Sequence, residues 1–311
     1  MNDMAALKFF SRTGALQRVV GRRGAGPGEF QQVREICVMR GDSLLVIDAA
    51  TGRFTLWDSA GRLVATHMRF AYVPSGACTA NGTLITRSAG AAVVSRKGRS
   101  VTQYDEFKPD GTRVRSVGLL PQPPISGPII QELRLGSAGN TLWIGDPQAG
   151  ELWISKLPLA VHTIVRMLDP RPAITEEVWR REIESRFGTA PVPRAQRERV
   201  TERLMKVPRP AFDPAFLEMR VDPDGRAWIS DYRDRARWTV FDALGGLVGQ
   251  LVLPPFTDPA SPQLAAVLSR GRVALLARTA DGFPELRIHA VELPRGATRE
   301  ESGKRGVVRE R

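Results

Sequence analysis

Internal repetition is the feature that most limits what this chain can become. Three segments align without gaps: LKFFSRTGAL at 7–16, FTLWDSAGRL at 54–63 and WTVFDALGGL at 238–247. Each alternates apolar residues with the period of two that a β-strand requires, then places Ser or Asp, two further residues and a glycine (Gly14, Gly61, Gly245). A glycine at that place closes a short hairpin turn in which positive φ is expected. A second motif precedes the first in the complete units: LLVID at 44–48, LWIGD at 142–146 and AWISD at 227–231, each a strand ended by an aspartate. Ahead of these lies another strand, at 36–38, 133–135 and 219–221, joined by a turn such as Asp222-Pro223-Asp224-Gly225.

One unit is therefore a meander of four strands, and units of about 40–45 residues with four strands are the blades of a β-propeller. Inner strands start near Ile36, Gly76, Leu133, Met219 and Ala265, with a third strand of the second blade at 101–107. The fold class is all-β: a six-bladed propeller over residues 1–294, with four full blades, one three-stranded blade at 264–291 and one two-stranded blade at the start. The tail at 295–311 (RGATREESGKRGVVRER) is polar and basic, and its composition predicts disorder.

The stretch GRRGAGPGEFQQVREI at 21–36, followed by LLVID and RFTLWDSAG, resembles the NHL repeat. Blades of that family are linked by a Gly-x-Gly-x-Gly-x-Phe-like segment, matched here by Gly24, Gly26, Gly28 and Phe30. The resemblance is strongest over 7–70, extends to 213–253, and is nearest to bacterial six-bladed propeller proteins, many of them exported. It implies a toroid around a central channel and no single function, since relatives include RNA-binding domains, sensor domains of membrane kinases, lyases and lactonase-like hydrolases.

The first repeat begins at its third strand: Leu7 aligns with Phe54 and Trp238, so two inner strands have no counterpart before it. Propellers usually close by pairing strands from the two chain ends, because open edges invite association. The expectation is a reading frame that starts upstream and supplies a closing strand, two inner strands and an export signal. The competing expectation is a toroid that tolerates incomplete closure.

Hydrophobic residues make up 42% of the chain, which excludes a disordered protein, and 29 Gly with 23 Pro suit many turns. Lys and Arg number 45 against 33 Asp and Glu, a net charge of +12. Such a surface attracts nucleic acid, anionic lipid or acidic proteins, but scattered arginines with no tight run fit a diffuse positive surface equally. No apolar run has the length of a membrane span, and MNDMAALKFF lacks the basic-then-apolar order of a signal peptide. Cys37 and Cys78, the only cysteines, have no metal-ligand spacing and fall in predicted inner strands, where a thiol packs as a small hydrophobe. They leave the compartment open: periplasmic or secreted if a signal lies upstream, otherwise cytoplasmic.

Residues 170–210 break the β pattern before the fifth blade. Thr175 caps a helix predicted to run through Phe187, with Glu176 and Glu177 in its first turn and Trp179, Ile183 and Phe187 on one stripe. After Pro191 and Pro193 a second helix is predicted from Arg194 to Lys206, with Val200, Leu204 and Val207 on one face. This helical hairpin reads either as a docking arm or lid, or as a solvated pair whose charges are i,i+4 partners.

The chemistry-bearing residues are few. His67, His162 and His289 are the only histidines, and the first two fall in outer strands of different blades. An outer strand sits roughly 14 Å from the inner one, so a histidine triad or histidine metal site is not expected. Trp143 and Trp228 share one repeat position and Trp57 aligns with Phe10 and Phe241, which points to packing between blades. Asp48, Asp146 and Asp231 recur at a strand end and are expected to accept hydrogen bonds from the following turn.

Glu35, Glu132 and Glu218 occupy one repeat position, just before the inner strand, which in a propeller borders the mouth of the channel. Three carboxylates there could hold a cation such as Ca²⁺, or raise one another's pKa. The likeness to lactonase-like channel sites is in outline only, because Asn81 and Asn140 lie in turns and supply no Asn ligand. The competing expectation pairs each glutamate with Arg34, Arg134 or Arg220. No nucleophile–base pair is evident and no cofactor is required. The leading reading is therefore a non-enzymatic propeller binding a protein, peptide or small ligand at the channel mouth. The alternatives are a metal-assisted hydrolase or lyase and an RNA-binding propeller.

Overall fold

The computed structural model describes residues 6–11, 15–48, 50–68, 76–79, 81–88, 93–96, 99–122, 132–167, 170–187, 193–253, 263–268, 271–278, 284–292 and 307–310. A hairpin of β1 (Leu7–Phe10) and β2 (Leu16–Val20) opens the chain, followed by a short parallel pair, β3 (Arg22–Arg23) and β4 (Glu29–Phe30). The first complete blade is β5 (Val33–Val38), β6 (Leu44–Asp48), β7 (Arg53–Trp57) and β8 (Leu63–Met68), antiparallel throughout. The second holds β9 (Gly76–Cys78), β10 (Leu84–Arg87), β11 (Val94–Arg96), β12 (Arg99–Phe107) and β13 (Arg113–Pro121). Its β12 is long enough to pair with both β10 and β11 along one edge and with β13 along the other.

The third blade is β14 (Arg134–Ala138), β15 (Thr141–Asp146), β16 (Glu151–Lys156) and β17 (Ala160–Met167). After it come α1 (Glu176–Phe187) and α2 (Arg194–Met205). The fourth blade is β18 (Met219–Val221), β19 (Ala227–Ser230), β20 (Arg237–Phe241) and β21 (Leu247–Val252). A three-stranded sheet follows: β22 (Gln263–Leu268), β23 (Arg272–Arg278) and β24 (Pro284–Ala290). Finally β25 (Val307–Glu310) adds a fifth strand outside β17.

Inner strands touch in the order β5, β9, β14, β18, β22, which is the arrangement of blades about an axis. The propeller expectation holds: four blades are complete, β22–β24 is three-stranded and β1–β2 is two-stranded, as the repeats predict, so the complete blades number four and not six. Within the tail, Val307 to Glu310 pair antiparallel with β17, on the outer edge of the third blade.

Period-two alternation explains why the blades stack. Leu142 and Ile144 of β15 face the second blade and pack with Ile85, Tyr104 and Leu120. Trp143, between them, points the other way and packs with Met219, Ile229 and Phe241 of the fourth blade. Trp228 repeats the arrangement one blade on, against Trp238, Val273 and Leu275. Leu45, Ile47 and Phe54 meet Leu84 and Phe107 across the first seam, and Leu7 of the opening hairpin meets Val46 and Trp57. Each such side chain is fully or nearly fully buried, worth about 1.5–3 kcal/mol apiece.

The turns follow the glycine rule where they are described. Gly61 and Gly245 adopt φ of 70° and 84°, and their N–H groups bond back to Asp58 and Asp242. Gly14 lies outside the described residues.

Cys37 and Cys78 are not free thiols. They sit on β5 and β9 with Cα atoms 5.6 Å apart and form a disulfide between neighbouring inner strands. Separation of 41 residues in sequence is cancelled by the stacking of one blade on the next.

Candidate functional site

Antiparallel pairing sets which residues share a face. The start of each inner strand lies beside the end of the second: Val33 pairs with Asp48, Arg134 with Gly145 and Met219 with Ile229. One end of the propeller therefore carries both the repeated glutamates and the repeated aspartates.

The aspartates hold that face together. Asp48 is 1% exposed and accepts hydrogen bonds from the backbone N–H of Gln31 at 2.5 Å, Gln32 at 3.2 Å, Ala50 at 3.0 Å and Thr51 at 3.1 Å. Burial alone pushes its pKa up, but the N–H groups of Gln31, Thr51 and Gln32 outweigh this and hold it below 3.8. Asp146 takes the N–H of Gln148 and Ala149, and Asp231 those of Arg233 and Asp234. These are turn-capping bonds, as the repeat position predicts.

The glycine-rich linker is a structural clamp. Phe30 is fully buried beside Trp57, with ring centroids 5.9 Å apart. Glu29 accepts from the Gly26 N–H and from Arg22, both at 2.7 Å. The buried Arg53 guanidinium donates to the carbonyls of Ala25 and Gly26. Gly28 approaches the Trp57 ring and Leu63, so Gly26, Gly28 and Phe30 serve the seam between the opening hairpin and the first blade.

Two of the three glutamates pair with arginines. Glu132 lies 3.6 Å from Arg134, and Glu218 lies 3.6 Å from Arg220. Arg134 also reaches across to the next blade and donates through Nε to the Leu217 carbonyl at 2.9 Å. Glu35 is half-buried on β5 opposite Ile47, and the Arg34 side chain lies outside the described residues. Among the described residues no three of His, Cys, Asp and Glu gather as metal ligands, so Glu35, Glu132 and Glu218 do not form a shared carboxylate cluster. His67, His162 and His289 belong to three separate sheets, on β8, β17 and β24.

The helical segment roots on the same face. Thr175 Oγ1 caps α1 through the Val178 N–H at 3.2 Å. Trp179 and Ile183 are buried against Leu204, Met205 and Tyr232; the Phe187 side chain lies outside the described residues. Arg171 donates to the Gln148 carbonyl at 2.8 Å, in the turn capped by Asp146. Arg233, in the turn capped by Asp231, pairs with buried Asp213 at 2.5 Å. That hydrogen bond raises the Arg233 pKa further. The pair α1–α2 is thus a wall fixed to two neighbouring turns of the channel-mouth face. A cavity of about 720 Å³ opens along it, floored by Trp179, Met205 and Val207 and rimmed by Arg180, Glu184 and Lys206. Sequence reasoning had the helices and their stripe, but no local signal marks the groove.

Three arginines of the helices pair within their own element: Arg180 with Glu176, Arg181 with Glu177 and Arg194 with Glu198. No helix of the described residues is long and apolar enough to cross a membrane.

The fold defines the chain as a β-propeller protein. It is similar to a putative exported protein from Bacteroides fragilis, with TM-score 0.52 and 8% identity over 88% of this chain and 73% of that one. It is also similar to a streptogramin B lyase (TM-score 0.45, 9% identity, covering 93% and 77%). A third likeness is to the calcium-binding protein regucalcin of Agrobacterium tumefaciens (TM-score 0.42, 11% identity, covering 84% and 77%). No family model and no curated protein matches the chain.

Proposed function

We propose that this chain is a non-catalytic binding propeller of NHL type whose partner sits on the channel-mouth face, against Glu132, Arg134, Glu218 and Arg220, with α1–α2 as one wall. The observation that carries this reading is the rooting of the helices on the turns of Asp146 and Asp231, beside the glutamate–arginine pairs. A face that alternates charge and is flanked by an apolar-floored groove suits a polar peptide segment with one large apolar anchor. The glycine-rich linker, clamped by Glu29 and Arg53, supports the NHL assignment. The Cys37–Cys78 disulfide supports an oxidising compartment. Glu132 and Glu218, already paired with arginines, do not favour a metal-assisted hydrolase or lyase, and the acidic partners of Arg180, Arg181 and Arg194 weaken the pull of the helices on RNA.

Cross-linking mass spectrometry on the tagged full chain in its own cells tests this. Partner cross-links at Lys206 and across the channel-mouth face support it. Cross-links confined to the outer strands β8, β13 and β21 sink it. So does ester or lactone turnover that is lost in the Glu132→Gln, Glu218→Gln double variant.

A further inference from the structure

The opposite end of the propeller carries a second, smaller cavity of about 300 Å³, at the seam between the second and third blades. Its walls are the turns from β9 to β10 and from β14 to β15, with Arg115 of β13 and Lys156 at the end of β16. The strand β14 runs away from Glu132 towards the turn at Gly139 and Asn140, so this cavity and the channel mouth lie at opposite ends of the same strand.

Its chemistry is donor-rich. Arg115 and Lys156 come from different blades yet line one space, together with the amides of Asn81 and Asn140. Glu106 is 3% exposed and accepts from the Arg115 Nε at 2.6 Å. That hydrogen bond fixes the guanidinium and leaves its terminal nitrogens for another acceptor. Glu106 is further tied by the Thr83 hydroxyl. Thr79 is occupied with the Thr83 hydroxyl at 2.6 Å, so it adds no strong acceptor. Gly139, with nothing within 4 Å of where a side chain would begin, leaves the entrance open.

Two cations and two amides lining one space, with no carboxylate among the lining residues, call for a ligand that accepts hydrogen bonds. We propose that this cavity is a binding site for a small oxyanion, the carboxylate or phosphate group of a compact molecule. Its guanidinium docks the oxyanion in fork geometry, Lys156 neutralises it, and Asn81 and Asn140 orient it. The volume stands at the lower end of small-molecule pockets, roughly 300–1,000 Å³, which limits the ligand to a compact one.

Isothermal titration of the purified full chain at low ionic strength, with inorganic phosphate in one arm and succinate in the other, tests the proposal. One or both arms are expected to saturate at one ligand per chain, and the arm that binds assigns the source of the oxyanion. Lys156→Glu and Asn140→Asp alter exposed residues and leave folding intact, yet each is expected to weaken binding by about tenfold or more. Arg287→Gln, on β24 of the last sheet, is expected to change nothing. No saturable heat in either arm, or affinity unchanged in both Lys156→Glu and Asn140→Asp, overturns the site.

Discussion

Cys37 and Cys78 tie the innermost strands of the first two blades together, their Cα atoms 5.6 Å apart. A link closing a loop of this length stabilises by about 3–4 kcal/mol, mainly by restricting the unfolded chain. The Cys37→Ala, Cys78→Ala double variant is therefore expected to lower the denaturation midpoint by several degrees. A matching drop is expected when the wild type is melted in reductant. Reductant that leaves the wild-type midpoint unmoved would show that the link contributes nothing.

Asp48 joins the linker to the turn after β6 through four backbone N–H groups. Replacement by Ala leaves those donors buried without an acceptor, at an expected cost of about 2–4 kcal/mol. The acid limb of stability follows from the direction of its pKa. A carboxyl held below 3.8 in the folded chain stabilises it fully above that value. The contribution drains away as pH falls from there through the folded-state value. Asp105, buried yet held low by Arg113 and Gln103, adds in the same direction. Urea melts between pH 6 and 3 are expected to show a shallower loss of stability in Asp48→Asn than in the wild type.

Trp179 packs the helical pair against Tyr232 at the turn of the fourth blade. Trp179→Ala empties a buried site, with an expected local cost of about 3–5 kcal/mol. Hydrogen exchange is expected to speed up across 176–205 while β15 and β19 keep their protection. Equal acceleration in the blades would mean that the helices are part of the global fold and not an appended wall.

Gly136 of β14 faces the Val221 side chain of β18, and a methyl group there would collide with it. Gly136→Ala is expected to push two inner strands apart and destabilise by about 1–3 kcal/mol. Gly139→Ala, in open space but at φ 56°, separates backbone strain from this collision. Thermal unfolding of the two variants distinguishes them.

The parts of this fold that local chemistry dictates were legible in the residues. Alternation around Trp143 and Trp228, glycine at 61 and 245, and aspartate at 48, 146 and 231 each encode a strand, a turn or a cap within a few positions. Thr175 and the stripe through Trp179 and Ile183 located the first helix in the same way. What joins distant positions was not legible. Cys37 and Cys78 stand on equivalent strands of successive blades, a signal that was present, but their pairing depends on how closely those strands approach. The roots of the helices rest on Arg233 reaching Asp213 and Arg171 reaching the Gln148 carbonyl, contacts that no spacing announces. Nothing local in the sequence says that one cavity collects Arg115 and Lys156. The partial units at either end were legible too, because the repeat at Leu7 begins at its third strand and the last unit offers only three strands.

Because each apolar seam is lined half by one sheet and half by the next, no sheet here owns a private interior. Fragments cut at the boundary near 213 would strip Trp143, Ile154 and Val165 of their cover and leave Met219 and Phe241 equally bare. Anyone dissecting the chain for expression should accordingly keep neighbouring sheets in pairs, and treat a single sheet as half of two unfinished structures.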